Sequence, residues 1–173
     1  MQHDVILRVN NLSKHYPVEK GFLKKNIGVL KAVDNVNLEL YRGETFGLVG
    51  ESGCGKSTLG MCLMDGNINS GNIEYSFEDH KINLSYASHQ EMRNFRKFAQ
   101  LIFQDPYSSL NARMTVRDIV AEPLYINSNL SRDQITEKVS EVLNLVGLDS
   151  RYLLRYPHAF SGGQRQRISI ARA

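Results

Sequence analysis

Residues Gly50 to Thr58 read GESGCGKST, a glycine-spaced loop closing on a lysine and two hydroxyl side chains. The spacing is that of the phosphate-binding pattern G-x-x-x-x-G-K-[ST]. Its glycines let the backbone curl so that successive N–H groups face one anion. Lys56 has the reach to meet the outer phosphates of a nucleotide, and the Ser57 hydroxyl can ligate Mg²⁺. A helix starting at this point adds the positive end of its dipole. A glycine-rich turn arising by chance is the competing account. An apolar strand before the loop and a helix after it separate the two.

Ser161, Gly162, Gly163 and Gln164 open an arginine-rich segment, SGGQRQRISIARA. Ser161 is a candidate N-cap, and the paired glycines let backbone N–H groups come close to a charged ligand. Alone, such a tetrapeptide is more often a turn. Following a phosphate loop in the same chain, it becomes a candidate second anion site.

These residues need strands and helices to hold them. Residues 4–16 alternate Val5, Leu7 and Val9 with polar neighbours and predict a strand. The basic stretch PVEKGFLKKNIGVLK predicts a hairpin excursion or a loop, with Lys20, Lys24, Lys25 and Lys31 as a wet face. VDNVNLELYRGE alternates Val36, Leu38 and Leu40 and predicts a second strand ending at Arg42-Gly43. TFGLVG, Thr45 to Gly50, is apolar almost without alternation, which predicts a strand buried on both faces of a parallel sheet. A helix from Lys56 to about Met64 follows, with Leu59, Leu63 and Met64 as its apolar stripe. SGNIEYSF predicts a strand, EDHKINLSYASHQ a loop, HQEMRNFRK a helix, and FAQLIF another buried strand.

Past Asp105-Pro106 the character is helical. Ser131 and Gln134 have the spacing of a capping box. Ile135, Val139, Val142, Leu143 and Val146 keep one helical face apolar, and Gly147 stops that helix.

At 173 residues the chain is one domain's worth, long enough to bury a core. An apolar fraction of 42% and a charged fraction of 23% are those of an ordinary soluble protein. The net charge of +3 suits a polyphosphate ligand and equally a solvated surface, so it decides nothing. No apolar run approaches the ~20 residues of a membrane-spanning helix, and the first residues are too polar for a signal peptide. The expectation is a soluble, cytoplasmic protein unless a partner carries it to a membrane. If the segment between Cys54 and Cys62 is mostly helical, its eight residues separate them by ~12 Å, beyond disulfide reach. The five histidines are scattered without metal-ligand spacing.

GESGCGKST, FQDPYSSLNARMTV and YPHAFSGGQRQRISIARA, in this order, resemble the ATP-binding subunits of ABC transporters. LSKHYPVEKGF, KAVDNVNLEL and RYPHAFSGGQRQR look most like the subunits of bacterial oligopeptide and dipeptide importers. The resemblance covers essentially the whole chain. It implies an α/β fold with three parts. These are an N-terminal antiparallel β subdomain with a P-loop (RecA-like) core over residues 1–105, a helical subdomain over 106–160, and a signature helix over 161–173.

By resemblance, Tyr16 is the aromatic residue that stacks on adenine; otherwise it is a tyrosine at a strand end. Gly50, Glu51, Ser52, Gly53, Cys54, Gly55, Lys56, Ser57 and Thr58 form the phosphate loop. Gln104 touches Mg²⁺ and the attacking water, and its loop senses the membrane subunit; read without the resemblance, it is the residue at which an apolar strand ends. Ser161, Gly162, Gly163 and Gln164 close over the γ-phosphate of ATP held by an opposite subunit. Phe160 stands where leucine is usual, a variation of the peptide-importer type. The implied cofactors are ATP and Mg²⁺. The implied partners are a second ATP-binding subunit in a head-to-tail heterodimer, transmembrane permease subunits and, indirectly, a peptide-binding protein. Nucleic acid is not among them, and the location is the cytoplasmic face of a bacterial membrane.

Two departures stand out. The proline usual before the turn at Ser70-Gly71 is missing, which concerns a loop alone. The family also continues into an apolar strand ending in Asp-Glu and then a switch histidine. Asp149 closes a helix and is followed by Ser150, and Asp105 follows Gln104, so neither substitutes. The expectation is a fragment with an incomplete central sheet that binds ATP and turns it over very slowly. A soluble ATPase acting on ribosomes or DNA, and a non-catalytic remnant, are the alternatives. The short, heptad-free helical part argues against the DNA-repair type, whose two motifs are separated by a long coiled coil.

Overall fold

A computed structural model describes residues 4–20, 25–77, 80–105 and 109–173. The chain divides into two units, residues 1–99 and 100–173, each with its own apolar cluster.

The first unit is a four-stranded antiparallel sheet with two helices. Strand β1 (Val5–Lys20) pairs with β2 (Lys25–Tyr41) along its whole length, from Val5 opposite Tyr41 to Lys20 opposite Lys25. Of the two forms expected for the basic stretch, hairpin excursion or loop, the structure has the hairpin, with both strands continuing through it. Its connecting residues 21–24, and the side chains of Lys20 and Lys25, lie outside what is described; Lys31 is exposed. Strand β3 (Ser70–Phe77) pairs with the other edge of β1, and β4 (His80–Asn83) with β3, giving the order β2-β1-β3-β4.

An irregularity in β1 sets which side chains face inward. Leu7 and Val9 are buried on odd positions, yet so is Leu12 on an even one. The register shifts between Val9 and Leu12, where Asn11 adopts φ 50. One extra residue in a strand reverses its alternation, and asparagine tolerates the left-handed conformation that this requires. On β2, Asn35, at φ 53, donates its N–H to Ser13 Oγ at 2.9 Å, and the Asn11 N–H reaches Asn37 Oδ1 at 2.8 Å. Gly71 of β3 lies against this bulge: a Cβ there would stand 2.5 Å from the Asn11 carbonyl oxygen. Leu7, Val9, Leu12, Val33 and Ile73 then pack with Leu59, Cys62, Leu84 and Phe95.

Helix α1 (Lys56–Asp65) ends on Gly66 in the left-handed conformation. It buries Leu59 and Cys62, while Leu63 and Met64 of the expected stripe pack at the edge of the cluster. Helix α2 (His89–Phe95) begins at a reciprocal cap between Ser88 and Glu91 and buries Phe95 against Tyr75, with ring centroids 4.7 Å apart.

Two expected strands are corrected. Residues 45–50 form no strand, and Phe46, Leu48 and Val49 are exposed, Val49 to 90%. FAQLIF likewise forms none, with Phe98, Ile102 and Phe103 exposed. A parallel strand takes its hydrogen bonds from neighbours delivered by crossovers. Among the described residues every strand pairing is antiparallel. Apolar composition alone cannot supply the missing neighbours. In the opposite direction, EDHKINLSYASHQ was too polar to predict a strand, yet it contains β4, a short edge strand held by backbone bonds to β3.

The second unit is helical. Helix α3 (Val116–Asn127) starts at Thr115, whose side chain accepts the Asp118 N–H. Helix α4 (Arg132–Leu145) starts at the expected Ser131–Gln134 capping box and leads to Gly147 at φ 71. Helix α5 (Gly162–Arg172) starts at Ser161. Val116, Ile119, Val120 and Ala121 of α3 pack with Ile135, Val139 and Leu143 of α4 and with Ile168 and Ala171 of α5. Arg172 donates to the Ser109 carbonyl at 2.7 Å and Arg167 to the Gly147 carbonyl at 3.2 Å, tying α5 into this unit.

Candidate functional site

The phosphate-loop pattern forms the turn that its glycines permit. Gly53 has φ 81 and Gly55 φ 97, conformations that a side chain strains. At Gly55 the requirement is also one of space, because a Cβ would stand 2.1 Å from the Ala32 carbonyl oxygen of β2. Lys56 folds back over the loop, donating to the carbonyl oxygens of Gly50 at 2.9 Å and Glu51 at 2.6 Å, with Cys54 Sγ 3.6 Å away.

The helix start itself carries the strongest electrostatic indication. Thr115, Ser88, Ser131 and Ser161 each cap their helix with a side-chain oxygen. Helix α1 begins at Gly55 with no side-chain cap. Among the described α-helices it is the only one so left. Its first amides therefore keep donors and a positive dipole end for an anion.

Tyr16, Leu30, Lys31, Ala32 and residues 53–58 border one cavity of about 340 Å³. The structure thus brings Tyr16 together with the loop. Leu30, directly opposite Tyr16 in the β1–β2 ladder, is not singled out by the sequence, and Lys31 is expected there only as part of a wet face. The cross-strand register would have pointed to them, but the length of the hairpin could not be read from composition. Lys31 and His15 reach the Asp34 carboxylate at 3.0 and 3.3 Å, and these bonds, Lys31's foremost, hold that carboxyl below its usual range.

Gly50, Glu51 and Ser52 lie in the loop ahead of this cavity. Ser57 and Thr58 occupy the first turn of α1, with Ser57 exposed. Among the described residues no three His, Cys, Asp or Glu side chains gather as a metal cage. A cation held by one hydroxyl, phosphate oxygens and water fits such a surface, as Mg²⁺ commonly binds. Cys54 is exposed and Cys62 buried, both as free thiols, and burial foremost pushes the Cys62 thiol up.

Gln104 and Ser161–Gln164 belong to the second unit. Gln104 is exposed in a bend and does not end a strand, since FAQLIF forms none. At α5 the Ser161 N–H reaches Gln164 Oε1 at 3.0 Å and the Gln164 N–H reaches Ser161 Oγ at 3.4 Å. Arg165 donates to the carbonyl oxygens of Phe160 at 3.0 Å and His158 at 3.4 Å, bracing the turn before the helix.

An α/β chain with a lysine-closed loop opening an uncapped helix is of the P-loop class. The chain belongs to the ABC transporter family, whose pattern it matches over residues 33–173. It is 43% identical over 172 residues to the oligopeptide transport ATP-binding protein AppF of Bacillus subtilis, covering 98% of this chain and 51% of that one. It is 51% identical over 156 residues to the dipeptide transport ATP-binding protein DppF of Lactococcus lactis, covering 88% and 49%. The chain therefore spans about half the length of the curated relatives it matches. Among solved structures it is similar to the dimeric post-hydrolysis state of the ATP-binding cassette MJ0796 bound to ADP and Pi. The TM-score is 0.79 with 26% identity, over 96% of this chain and 68% of that one. No helix among the described residues is long and apolar enough to cross a membrane.

Proposed function

We propose that this chain is the nucleotide-binding part of an ATP-hydrolysing subunit that powers peptide import. The single observation that carries the nucleotide site is the uncapped start of α1, framed by Gly53 and Gly55 and overlaid by the Lys56 ammonium. Relatives that transport oligopeptides and dipeptides, at 43% and 51% identity, support the cargo class.

In this proposal the amides of Gly53 to Thr58 cradle the phosphates, and Lys56 exchanges its carbonyl partners for phosphate oxygens. Tyr16 stacks on the base from the cavity wall. Bound Mg²⁺ supplies charge neutralisation across the phosphates, and the Ser57 hydroxyl and the Gln104 amide oxygen are the side chains offered to it. Gln104 also orients the attacking water, which makes Lys56 and Gln104 the catalytic residues of this chain. Residues Ser161 to Gln164 contact the nucleotide held by a second ATP-binding subunit, arranged head to tail. That subunit is a different protein of the same type. Permease subunits and a peptide-binding protein complete the assembly, with this subunit on the cytoplasmic face of the membrane. Residues 1–105, 106–160 and 161–173 act as the nucleotide core, the helical part and the signature helix.

Calorimetric titration of the full-length protein with Mg–ATP, alongside Lys56→Ala, tests the site. Binding by the wild type and its loss in the variant are expected; equal affinity in both would overturn the proposal. Loss of oligopeptide uptake on deleting the gene tests the cargo.

A further inference from the structure

The far end of α1 is tied to the base-facing tyrosine. Lys14 is half-buried on β1, two residues before Tyr16 and on the same side of the strand. Its ammonium lies 5.4 Å from the centroid of the Tyr16 ring, within the range of a cation–π contact. The same ammonium donates to Asn67 Oδ1 at 2.6 Å. Asn67 is itself fixed at both backbone atoms: its N–H donates to Asp65 Oδ1 at 2.8 Å, and its carbonyl oxygen accepts from Cys62 Sγ at 3.5 Å. The neighbouring Asn69 latches the turn to β1, accepting the His15 N–H at 2.7 Å and donating its own N–H to the Ser13 carbonyl at 2.8 Å.

Lys14 does not border the cavity that Tyr16 shares with the phosphate loop. The ammonium therefore meets the ring without being part of that cavity's lining. A tyrosine 41% exposed on a strand otherwise turns freely about its side-chain bonds. A ring already held in place loses less freedom when a flat partner stacks on it.

We propose that Lys14 is a positioning residue for the base: held by Asn67 at the C-terminal end of α1, it fixes the Tyr16 ring for stacking. One helix thus sets both halves of the nucleotide site, the phosphates from its first turn and the base from the turn after its last. The proposal rests on the assignment of Tyr16 to the base under Proposed function.

The test compares Mg–ATP with magnesium tripolyphosphate, which has no base, on the full-length protein by calorimetry. Lys14→Met keeps the side chain's length and removes the charge. It is expected to weaken ATP binding by about two- to fivefold, the range of an exposed cation–π contact, and to leave tripolyphosphate binding unchanged. Lys14→Arg is expected to restore ATP affinity. Unchanged tripolyphosphate binding also shows that the variant is folded. Equal weakening of both ligands, or no change in ATP, would overturn the positioning role while leaving the base assignment standing. A wild-type protein that binds ATP no tighter than tripolyphosphate would overturn the base assignment, and the role of Lys14 with it.

Discussion

The Lys56 ammonium donates to the Gly50 carbonyl oxygen at 2.9 Å, so the loop is closed on itself by the lysine that ends its pattern. With the second bond to Glu51, the side chain is drawn over the turn. Lys56→Met loses those charged bonds and the attraction to phosphate. ATP affinity is expected to fall about tenfold or more, since a hydrogen bond to a charged group contributes about 1.5 to 3 kcal/mol. Folding stability should change by less than about 1 kcal/mol, because the bonds are exposed. Calorimetry and a urea melt measure the two effects.

Gly53 and Gly55 separate conformation from space. Both have positive φ, but a Cβ on Gly53 meets nothing within 4 Å while one on Gly55 meets the Ala32 carbonyl at 2.1 Å. Gly53→Ala is expected to cost about 1 to 2 kcal/mol from the left-handed backbone alone. Gly55→Ala adds a clash of the new methyl with the Ala32 carbonyl and should cost clearly more, with loss of nucleotide binding. Paired denaturation curves decide; equal costs would mean that the contact with β2 gives way freely.

Ser131 and Ser161 cap their helices with the same reciprocal geometry. Replacing either with alanine is expected to cost about 1 kcal/mol. Only Ser161→Ala should weaken ATP-driven pairing with a second subunit, because Ser131 has no assigned ligand. Thermal melts check the first expectation, and sedimentation with and without ATP checks the second.

Tyr75 gives a pH dependence of definite sign. Burial pushes its phenol up to about 12, and the hydroxyl donates to the Leu63 carbonyl at 3.0 Å. The unfolded phenol loses its proton near pH 10, so the contribution is intact below that pH and falls away between about 10 and about 12. The total is about 2 to 3 kcal/mol. Tyr75→Phe should flatten this part of the stability–pH curve, read by urea melts at each pH.

Patterns carried by a segment's own residues were legible in the sequence. The capping pair at Ser131, the cap at Ser161, the stop at Gly147, and the strand from Ser70 to Phe77 depend on local spacing, and each took the expected form. Of the candidate site, the phosphate loop could be read because glycine, lysine and serine at fixed spacing define its turn. What failed depended on partners distant in sequence. Phe46, Leu48 and Val49 have the side chains of a buried strand, but a strand also needs neighbours to bond with. The polar His80–Asn83 became a strand because β3 offered it an edge. Leu30 and Lys31 joined the cavity through a hairpin register that composition does not encode.

The two thiols differ in a way that has a practical consequence. Cys54 is open to solvent within the phosphate loop, whereas Cys62 is enclosed, and burial foremost raises its thiol above the usual range. Within these 173 residues, an environment-sensitive maleimide dye would therefore settle on the loop alone. Its emission would turn nucleotide occupancy into an optical signal without an engineered attachment point.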